Sequence, residues 1–122
     1  MHITRLQFVS VPVTDPDVAR DFYMNVLGFE LAEDTRARHG HSAVLVLAPT
    51  TEASGVALVT DTARDELGAP VHLQWHTTDL DTDVAALRAA GVAAGDPQHT
   101  PSGRLSSFTD PDGNPISLLQ PT

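Results

Sequence analysis

The feature that most constrains the fold is an order of elements that occurs twice along the chain. Each copy starts with an alternating strand, continues with a capped helix and ends with three short strands. The helix-opening acids Asp15 and Asp79 are 64 positions apart, and the helix-closing glycines Gly28 and Gly91 are 63 apart. A period of this length indicates duplication of one supersecondary unit and not a solenoid array. The sequence therefore predicts an α+β chain of two strand–helix–three-strand modules.

The first module is predicted over about residues 1–60. Residues 3–13 alternate as a strand does, and Pro12, which cannot donate a ladder hydrogen bond, should lie at its end or at a bulge. Residues 14–28 predict a helix that Thr14 or Asp15 caps and Gly28 ends. Three strands follow at about 29–34, 41–47 and 55–60. The helix should bury one apolar stripe, formed by Val18, Ala19, Phe22, Val26 and Leu27.

The second module is predicted over about residues 70–122, after a linker at about 61–69. Its first strand places His72, Gln74 and His76 on one face, and Trp75 on the face that packs against the helix. The helix over residues 78–91 is capped by Asp79. Strands are expected near 92–94, 105–109 and 116–119, with the turn "DPDG" before the last one. The apolar stripe of this helix consists of Leu80, Val84 and Leu87.

Composition excludes several classes of protein. The chain has 16 acidic and 7 basic residues and a net charge of −9 with neutral histidines, so a nucleic-acid backbone would be repelled. It has no cysteine, which removes disulfides, thiolate metal sites and cysteine nucleophiles. No stretch approaches the roughly 18 apolar residues of a membrane helix. Because no secretory signal is recognised either, we expect a cytoplasmic protein without membrane partners.

Three segments carry a resemblance to a known family. "VPVTDPDVARDFYMNVLGFE" resembles the first module of the vicinal oxygen chelate superfamily, which includes glyoxalase I, fosfomycin-resistance and bleomycin-binding proteins and extradiol dioxygenases. "HLQWHTTDLDTDVAALRAAGV" is similar to the start of the second module, and "FTDPDGNPISLLQ" to the closing turn and strand. The resemblance spans nearly the whole chain. It implies one domain of two βαβββ modules, an open curled sheet around a cup with the helices outside, and a homodimer.

The resemblance also implies where a metal would bind in this cup. The family's enzymes hold a divalent metal with His, Gln or Glu side chains on the first and last strands of each module, and the metal acts as a Lewis acid. The matching first-strand positions here are Phe8 and His72, each seven residues before the helix-opening acid. The last strand carries Ser117 where the metal enzymes carry Glu. Gln7 neighbours Phe8, but strand alternation aims it at the opposite face.

Other histidines do not complete such a site. The Cα atoms of His72 and His76 are roughly 13 Å apart along a regular strand, which is too far for both imidazoles to bind one ion comfortably. His39 and His41 form an H-x-H pair in a segment typical of a strand edge or turn, where a solvated role is expected. We therefore expect no cofactor. If a divalent metal binds, His72 is its expected ligand.

The cup is then expected to take a small-molecule ligand. His72 and His76 are candidate acid–base groups, because imidazole titrates near neutral pH. Phe8 offers a stacking surface. Each candidate also has a structural reading: the histidines as polar positions on a half-solvated face, the serines as small fillers and Arg104 as a surface group. The candidate ligand-binding residues are Phe8, Ser10, Gln74, Arg104 and Ser117, with Ser106 as an alternative to Arg104 and Leu119 on the same inner face.

These features support three hypotheses for function. The leading one is a glyoxalase- or bleomycin-resistance-like protein without the usual metal, which sequesters or transforms a small metabolite or antibiotic. The second is a metal-dependent lyase or dioxygenase whose rearranged ligands include His72. The third is a structural or regulatory module with an occluded cup. The two modules can pair within one chain or by exchange across a dimer.

Overall fold

The computed structural model describes residues 1–34, 44–50, 53–59 and 71–122. The chain divides into two compact units, Met1–Ala69 and Pro70–Thr122. Among these described residues, each unit shows a helical segment and a four-stranded sheet in the order strand, helix, three strands, which confirms the predicted α+β fold. The predicted linker at 61–69 and the His39–His41 pair lie outside the described residues. Within the described ranges, no helix combines the length and the apolar character needed to cross a membrane.

The described part of the first unit is a mixed sheet with a helical segment between its first two strands. Its sheet has the strand order β1-β4-β3-β2, in which β1 and β4 run parallel and the other neighbours run antiparallel. The elements are β1 Phe8–Pro12, α1 Pro16–Asp21, a π-helical turn Phe22–Val26, β2 Glu30–Asp34, β3 Val44–Ala48 and β4 Gly55–Val59.

The first helix begins as predicted and then widens. The Asp15 carboxylate caps it by accepting hydrogen bonds from the backbone N–H groups of Asp17, at 2.9 Å, and Val18, at 3.3 Å. Further along, the N–H of Leu27 donates to the carbonyl of Phe22 at 3.2 Å, five residues back, which is the π-helical closure. Gly28, at φ 74°, then ends the segment, as expected.

The apolar stripe of this helix differs from the prediction at one end. Val18 is 51% exposed and does not belong to the core. The buried side chains are those of Ala19, Phe22 and Tyr23. Tyr23 is fully buried and its ring contacts Phe22 edge-on, with centroids 5.5 Å apart. Ala19, Phe22 and Tyr23 are spaced as i, i+3 and i+4, so the buried face is centred on them and Val18, in the first turn, lies outside it.

The first strand is shorter than predicted. Residues 1–7 lie outside the sheet, although the carbonyl of Gln7 accepts a hydrogen bond from Gly55 at 3.0 Å. The strand begins at Phe8 and ends at Pro12, which confirms the terminal position expected for that proline. The alternating pattern over residues 3–7 therefore does not produce a strand.

The second unit repeats the arrangement. Its strand order is β5-β8-β7-β6, with β5 and β8 parallel and the hairpins β6–β7 and β7–β8 antiparallel. The elements are β5 Leu73–His76, α2 Leu80–Ala89, β6 Gln98–Thr100, β7 Gly103–Thr109 and β8 Pro115–Pro121.

Helix α2 covers one face of this sheet. Leu80, Val84 and Leu87 are buried, which confirms the predicted stripe. The N–H of Leu80 donates to the side-chain oxygen of Gln120 on β8 at 2.8 Å. Because neighbouring residues of a strand alternate between faces, Gln120 identifies the side of the sheet that α2 covers.

The strand predicted near 92–94 is wrong. Val92 donates to the carbonyl of Leu87 at 2.9 Å, so the segment first closes the end of α2. The Arg88 guanidinium then donates twice to the carbonyl of Ala94, at 3.1 and 2.9 Å. These bonds occupy backbone groups that a ladder would need, and the edge strand forms later, at Gln98–Thr100.

The closing turn is held by one buried carboxylate. Asp110 Oδ1 accepts from the N–H groups of Asp112 and Asn114, both at 2.9 Å, and Oδ2 accepts from the Asn114 amide at 2.8 Å. The other end of that amide, Asn114 Oδ1, accepts from the N–H of Val71 at 3.1 Å. The turn therefore anchors the segment that carries His72, and its acids act as turn residues, as predicted.

Candidate functional site

The candidate site lies on the face of the second sheet opposite α2, which we name the Ser117 face. Strand register defines it, because paired residues in neighbouring strands point to the same side. Ser117 is paired with Gln74 on β5 and with Ser107 on β7, and Leu119 is paired with His76 and Leu105. By register and alternation the Ser117 face comprises His72, Gln74, His76, Gln98, Thr100, Leu105, Ser107, Thr109, Ser117 and Leu119.

Three of these side chains form a hydrogen-bonded chain. The Ser117 hydroxyl lies 3.1 Å from Nε2 of His72 and 2.9 Å from the hydroxyl of Ser107. Ser117 is buried, at 3% exposure, whereas His72 and Ser107 are exposed at the two ends. The structure thus brings together His72 and Ser117, which the sequence singled out, and adds Ser107.

Ser107 was missed by the sequence reasoning, although a signal for it was present. The turn over residues 110–114 connects the paired residues Thr109 and Pro115, and Ser107 and Ser117 each lie two residues further along their strands. Residues paired across an antiparallel hairpin share a face. Any side chain assigned to the site at Ser117 therefore implies one at Ser107.

Arg104 and Ser106 are not on the Ser117 face, contrary to expectation. Arg104 is paired with Gln120, and thus lies on the side that α2 covers. Its guanidinium forms two bonds to the Asp81 carboxylate, at 3.0 and 2.9 Å. Ser106 donates its hydroxyl to the carbonyl of Gly95 at 2.7 Å. Alternation explains the difference, since both residues lie an odd number of positions from Ser107 and so point to the opposite face.

The Arg104–Asp81 pair shifts the titration of both its members on the helix side. Hydrogen bonding to Arg104, followed by its positive charge, holds the pKa of the Asp81 carboxyl below its usual value. The same hydrogen bond and charge raise the pKa of Arg104. On the Ser117 face of the described second unit, by contrast, no strand position carries Asp, Glu, Lys or Arg. The two sides of this sheet thus differ sharply in charge.

The other predicted residues of the second unit lie on the Ser117 face. Gln74 and His76 are exposed, and His76 is aligned with the buried Leu119. Their amide and imidazole can form hydrogen bonds with a bound molecule. Acid–base roles for His72 and His76 stay predictions.

Phe8 and Ser10 occupy the corresponding strand of the first unit. Phe8 is paired with Gly55 and Ser10 with Ala57 on β4, and Phe8 is 36% exposed. An exposed ring can stack against a planar ligand. Contact of either residue with a ligand stays a prediction.

The residues at the family's metal-ligand positions do not fit a divalent cation. Register makes Ala57 the counterpart of Ser117, as Phe8 is of His72. The four positions therefore supply one imidazole and one hydroxyl, whereas a catalytic zinc needs about three protein ligands from His, Cys or carboxylates. Throughout the part of the chain that the structure describes, no three His, Cys, Asp or Glu side chains are placed to hold an ion.

Comparisons with known proteins agree with this architecture. The model of the Glyoxalase/Bleomycin resistance protein/Dioxygenase superfamily matches residues 5–118. TnmS3, an antibiotic binding protein from Streptomyces sp. CB03234, is 39% identical, with 100% of this chain and 99% of that one covered at a TM-score of 0.86. A glyoxalase/bleomycin resistance protein from the same organism is 38% identical over 95% and 100% of the two chains, at a TM-score of 0.77. A superfamily member from Sphaerobacter thermophilus is 28% identical over 98% and 99%, at a TM-score of 0.86.

Proposed function

The chain belongs to the glyoxalase, bleomycin resistance protein and dioxygenase superfamily, and we propose that it binds a small organic metabolite or antibiotic on the Ser117 face without a metal ion. The observation that carries this proposal is the bond between His72 and Ser117 at 3.1 Å. Two side chains at metal-ligand positions satisfy each other there, and the remaining two positions are Phe8 and Ala57.

Similarity to an antibiotic binding protein supports ligand binding as the function. TnmS3 is similar over the full length of both chains, so the likeness includes every strand of the Ser117 face. That face mixes hydroxyl, amide and imidazole groups with Leu105 and Leu119. Ligand sites for small molecules combine apolar surface with a few placed polar groups in this way. Sequestration needs nothing beyond such binding.

Metal analysis tests the absence of an ion directly. Protein purified without chelator should contain far less than one divalent ion per chain, because one imidazole and one hydroxyl hold such an ion weakly. His99→Ala serves as the control, since His99 is paired with Arg104 on the helix side of the same sheet. A stoichiometric ion that is lost in His72→Ala and kept in His99→Ala would refute the proposal and favour a metal-dependent lyase or dioxygenase.

Ligand binding itself is tested by native mass spectrometry of freshly purified protein and by a thermal-shift screen of antibiotics and aromatic metabolites. A ligand present at 100 times its dissociation constant should stabilise the fold by about 2.7 kcal/mol. The stabilisation should fall in Gln74→Ala, which removes an exposed amide from the Ser117 face. If many compounds are tried and none stabilises the protein, an occluded structural module becomes the better account.

We also propose that the protein acts as a homodimer, as its family resemblance suggests. Sedimentation equilibrium should then give twice the chain mass of 13.0 kDa. A concentration-independent mass of one chain would contradict this.

A further inference from the structure

We propose that Ser107, Ser117 and His72 form a reversible hydrogen-bond chain that recognises an uncharged ligand carrying a hydroxyl and a carbonyl on one small ring. This proposal rests on the binding function above and names the chemistry of the ligand. Its starting point is the unbroken series of contacts from the Ser107 hydroxyl through the Ser117 hydroxyl, at 2.9 Å, to Nε2 of His72, at 3.1 Å.

The chain can run in either direction. A hydroxyl donates one hydrogen bond and accepts others, and a neutral imidazole has one donor nitrogen and one acceptor nitrogen. When Ser107 donates to Ser117 and Ser117 donates to Nε2, the ring proton is on Nδ1. When Nε2 donates instead, Ser117 donates to Ser107 and Nδ1 becomes the acceptor. Both arrangements satisfy the buried Ser117 hydroxyl.

The two ends of the chain consequently have opposite hydrogen-bonding character in either arrangement. In the first, His72 offers an N–H donor and Ser107 offers an acceptor oxygen. In the second, Ser107 offers an O–H donor and His72 offers an acceptor nitrogen. Since only these two ends are exposed, a ligand meets one donor and one acceptor that are linked by two hydrogen bonds. A hydroxyl and a carbonyl carried by one ring complement that pair.

The charge of the Ser117 face restricts the ligand further. No described strand position on this face carries a formal charge, and Arg104 is held by Asp81 on the opposite side. An anionic ligand would lose water without gaining a cationic partner, which is costly. A neutral hydroxyl and a neutral carbonyl incur no such cost and satisfy both ends of the chain.

Three probes of similar size separate these requirements. The first is meta-hydroxyacetophenone, which has both groups and no internal hydrogen bond. The second is meta-methoxyacetophenone, which lacks the donor, and the third is meta-hydroxybenzoate, which is charged. Titrations followed by NMR should show the hydroxyl ketone binding about tenfold more tightly than the methoxy ketone, the effect of one hydrogen bond. The anion should bind more weakly than the hydroxyl ketone.

Variants of the chain provide the decisive readout. In Ser117→Ala and in Ser107→Ala, the preference for the hydroxyl ketone over the methoxy ketone should disappear. Without the complete hydrogen-bond chain, one end no longer determines whether the other donates or accepts. Ser106→Ala is the matched control: it removes a hydroxyl from the same strand on the opposite face, and should keep the preference. Nitrogen NMR of the His72 ring should show a single tautomer in the wild-type complex and a mixture in Ser117→Ala.

Four results would overturn the inference. They are equal affinity for the two ketones, a preference that survives both chain variants, tighter binding of the anion, and no binding of any probe at millimolar concentration. The binding function would survive each of these results if a ligand of other chemistry stabilises the protein and its affinity falls in Gln74→Ala. A metal ion bound to His72 would instead defeat both proposals.

Discussion

At the scale of single residues, Asp110 shows how one carboxylate organises a whole turn. Its side chain is 4% exposed and accepts three hydrogen bonds, two from backbone N–H groups and one from the Asn114 amide. Asn114 in turn holds the N–H of Val71, next to His72. Stability of the turn and placement of the site therefore depend on the same side chain.

We expect Asp110→Ala to lower the free energy of unfolding by about 3 kcal/mol, because the donors that bonded to the charged carboxylate are left without an acceptor. Urea denaturation measures this value. Asp110→Asn is the graded comparison: it keeps one acceptor oxygen for the backbone N–H groups and loses the bond to the Asn114 amide, so its loss should be smaller. Equal losses in the two variants would show that the backbone bonds contribute little.

At the scale of elements, the β7–β8 hairpin depends on a glycine at its far end. Gly103 has φ 147°, and a Cβ added there would lie 2.2 Å from the carbonyl oxygen of Gln120. Gly103→Ala must separate the two strands and should cost about 3 kcal/mol, as overpacking does. Gly91→Ala is the control, with φ 85° and open space around the added atom. It should cost only about 1 kcal/mol, from backbone strain alone. Thermal unfolding of both variants tests the contrast, and equal shifts would exclude a steric cause.

The ion pair between Asp81 on α2 and Arg104 on β7 should make the stability of the protein depend on pH. Because Arg104 depresses the pKa of Asp81 in the folded state, the pair stabilises the protein above the ordinary pKa of an unfolded aspartate. That contribution is lost as pH falls through the lower, folded-state pKa. In Arg104→Gln the pKa of Asp81 should rise towards its usual value, which NMR titration of the carboxyl measures. Arg88→Gln should leave it unchanged, since Arg88 bonds to Ala94 and Asp96.

The same Arg104→Gln variant separates the two roles assigned to Arg104. A guanidinium on the helix side stabilises the contact with α2 and does not reach the Ser117 face. Probe affinity should therefore be unchanged within error while the acid titration moves. Loss of probe binding in the folded variant would return Arg104 to the site.

Elements set by a recognised sequence signature were predicted from sequence, and those set by particular side-chain contacts or hydrogen bonds were not. Asp15 and Asp79 cap helices through their own neighbours, so composition over a few residues is enough to find them. The segment at 92–94 fails because the Arg88 side chain reaches the carbonyl of Ala94. The π-helical turn at Phe22–Val26, closed by the bond from the N–H of Leu27 to the carbonyl of Phe22, has no short sequence signature comparable to a cap.

The candidate site divides in the same way. His72 and Ser117 followed from counting along the family's motifs, and their contact at 3.1 Å agrees with that count. The face of Arg104 required the register of the β7–β8 hairpin, which a count along one strand leaves undefined. Sequence therefore identified His72 and Ser117, but it did not identify which side chains of β7 share their face.

At the scale of the whole molecule, the uncharged Ser117 face belongs to a strongly acidic chain. The net charge is −9 with neutral histidines, from 16 acidic and 7 basic residues. An anionic ligand near this face experiences the field of the whole protein without a local cation to offset it. Salt screens such a field over about 10 Å at 0.1 M ionic strength.

Binding of the anionic and neutral probes should consequently respond to salt in different ways. The affinity of meta-hydroxybenzoate should rise as sodium chloride is added, because screening weakens its repulsion by the acidic surface. The affinity of meta-hydroxyacetophenone should stay constant, since it carries no charge for the field to act on. NMR titrations at low and high salt and constant pH measure both. If salt instead weakens binding of the anion, a cation contacts the ligand, and the uncharged character assigned to the Ser117 face is wrong.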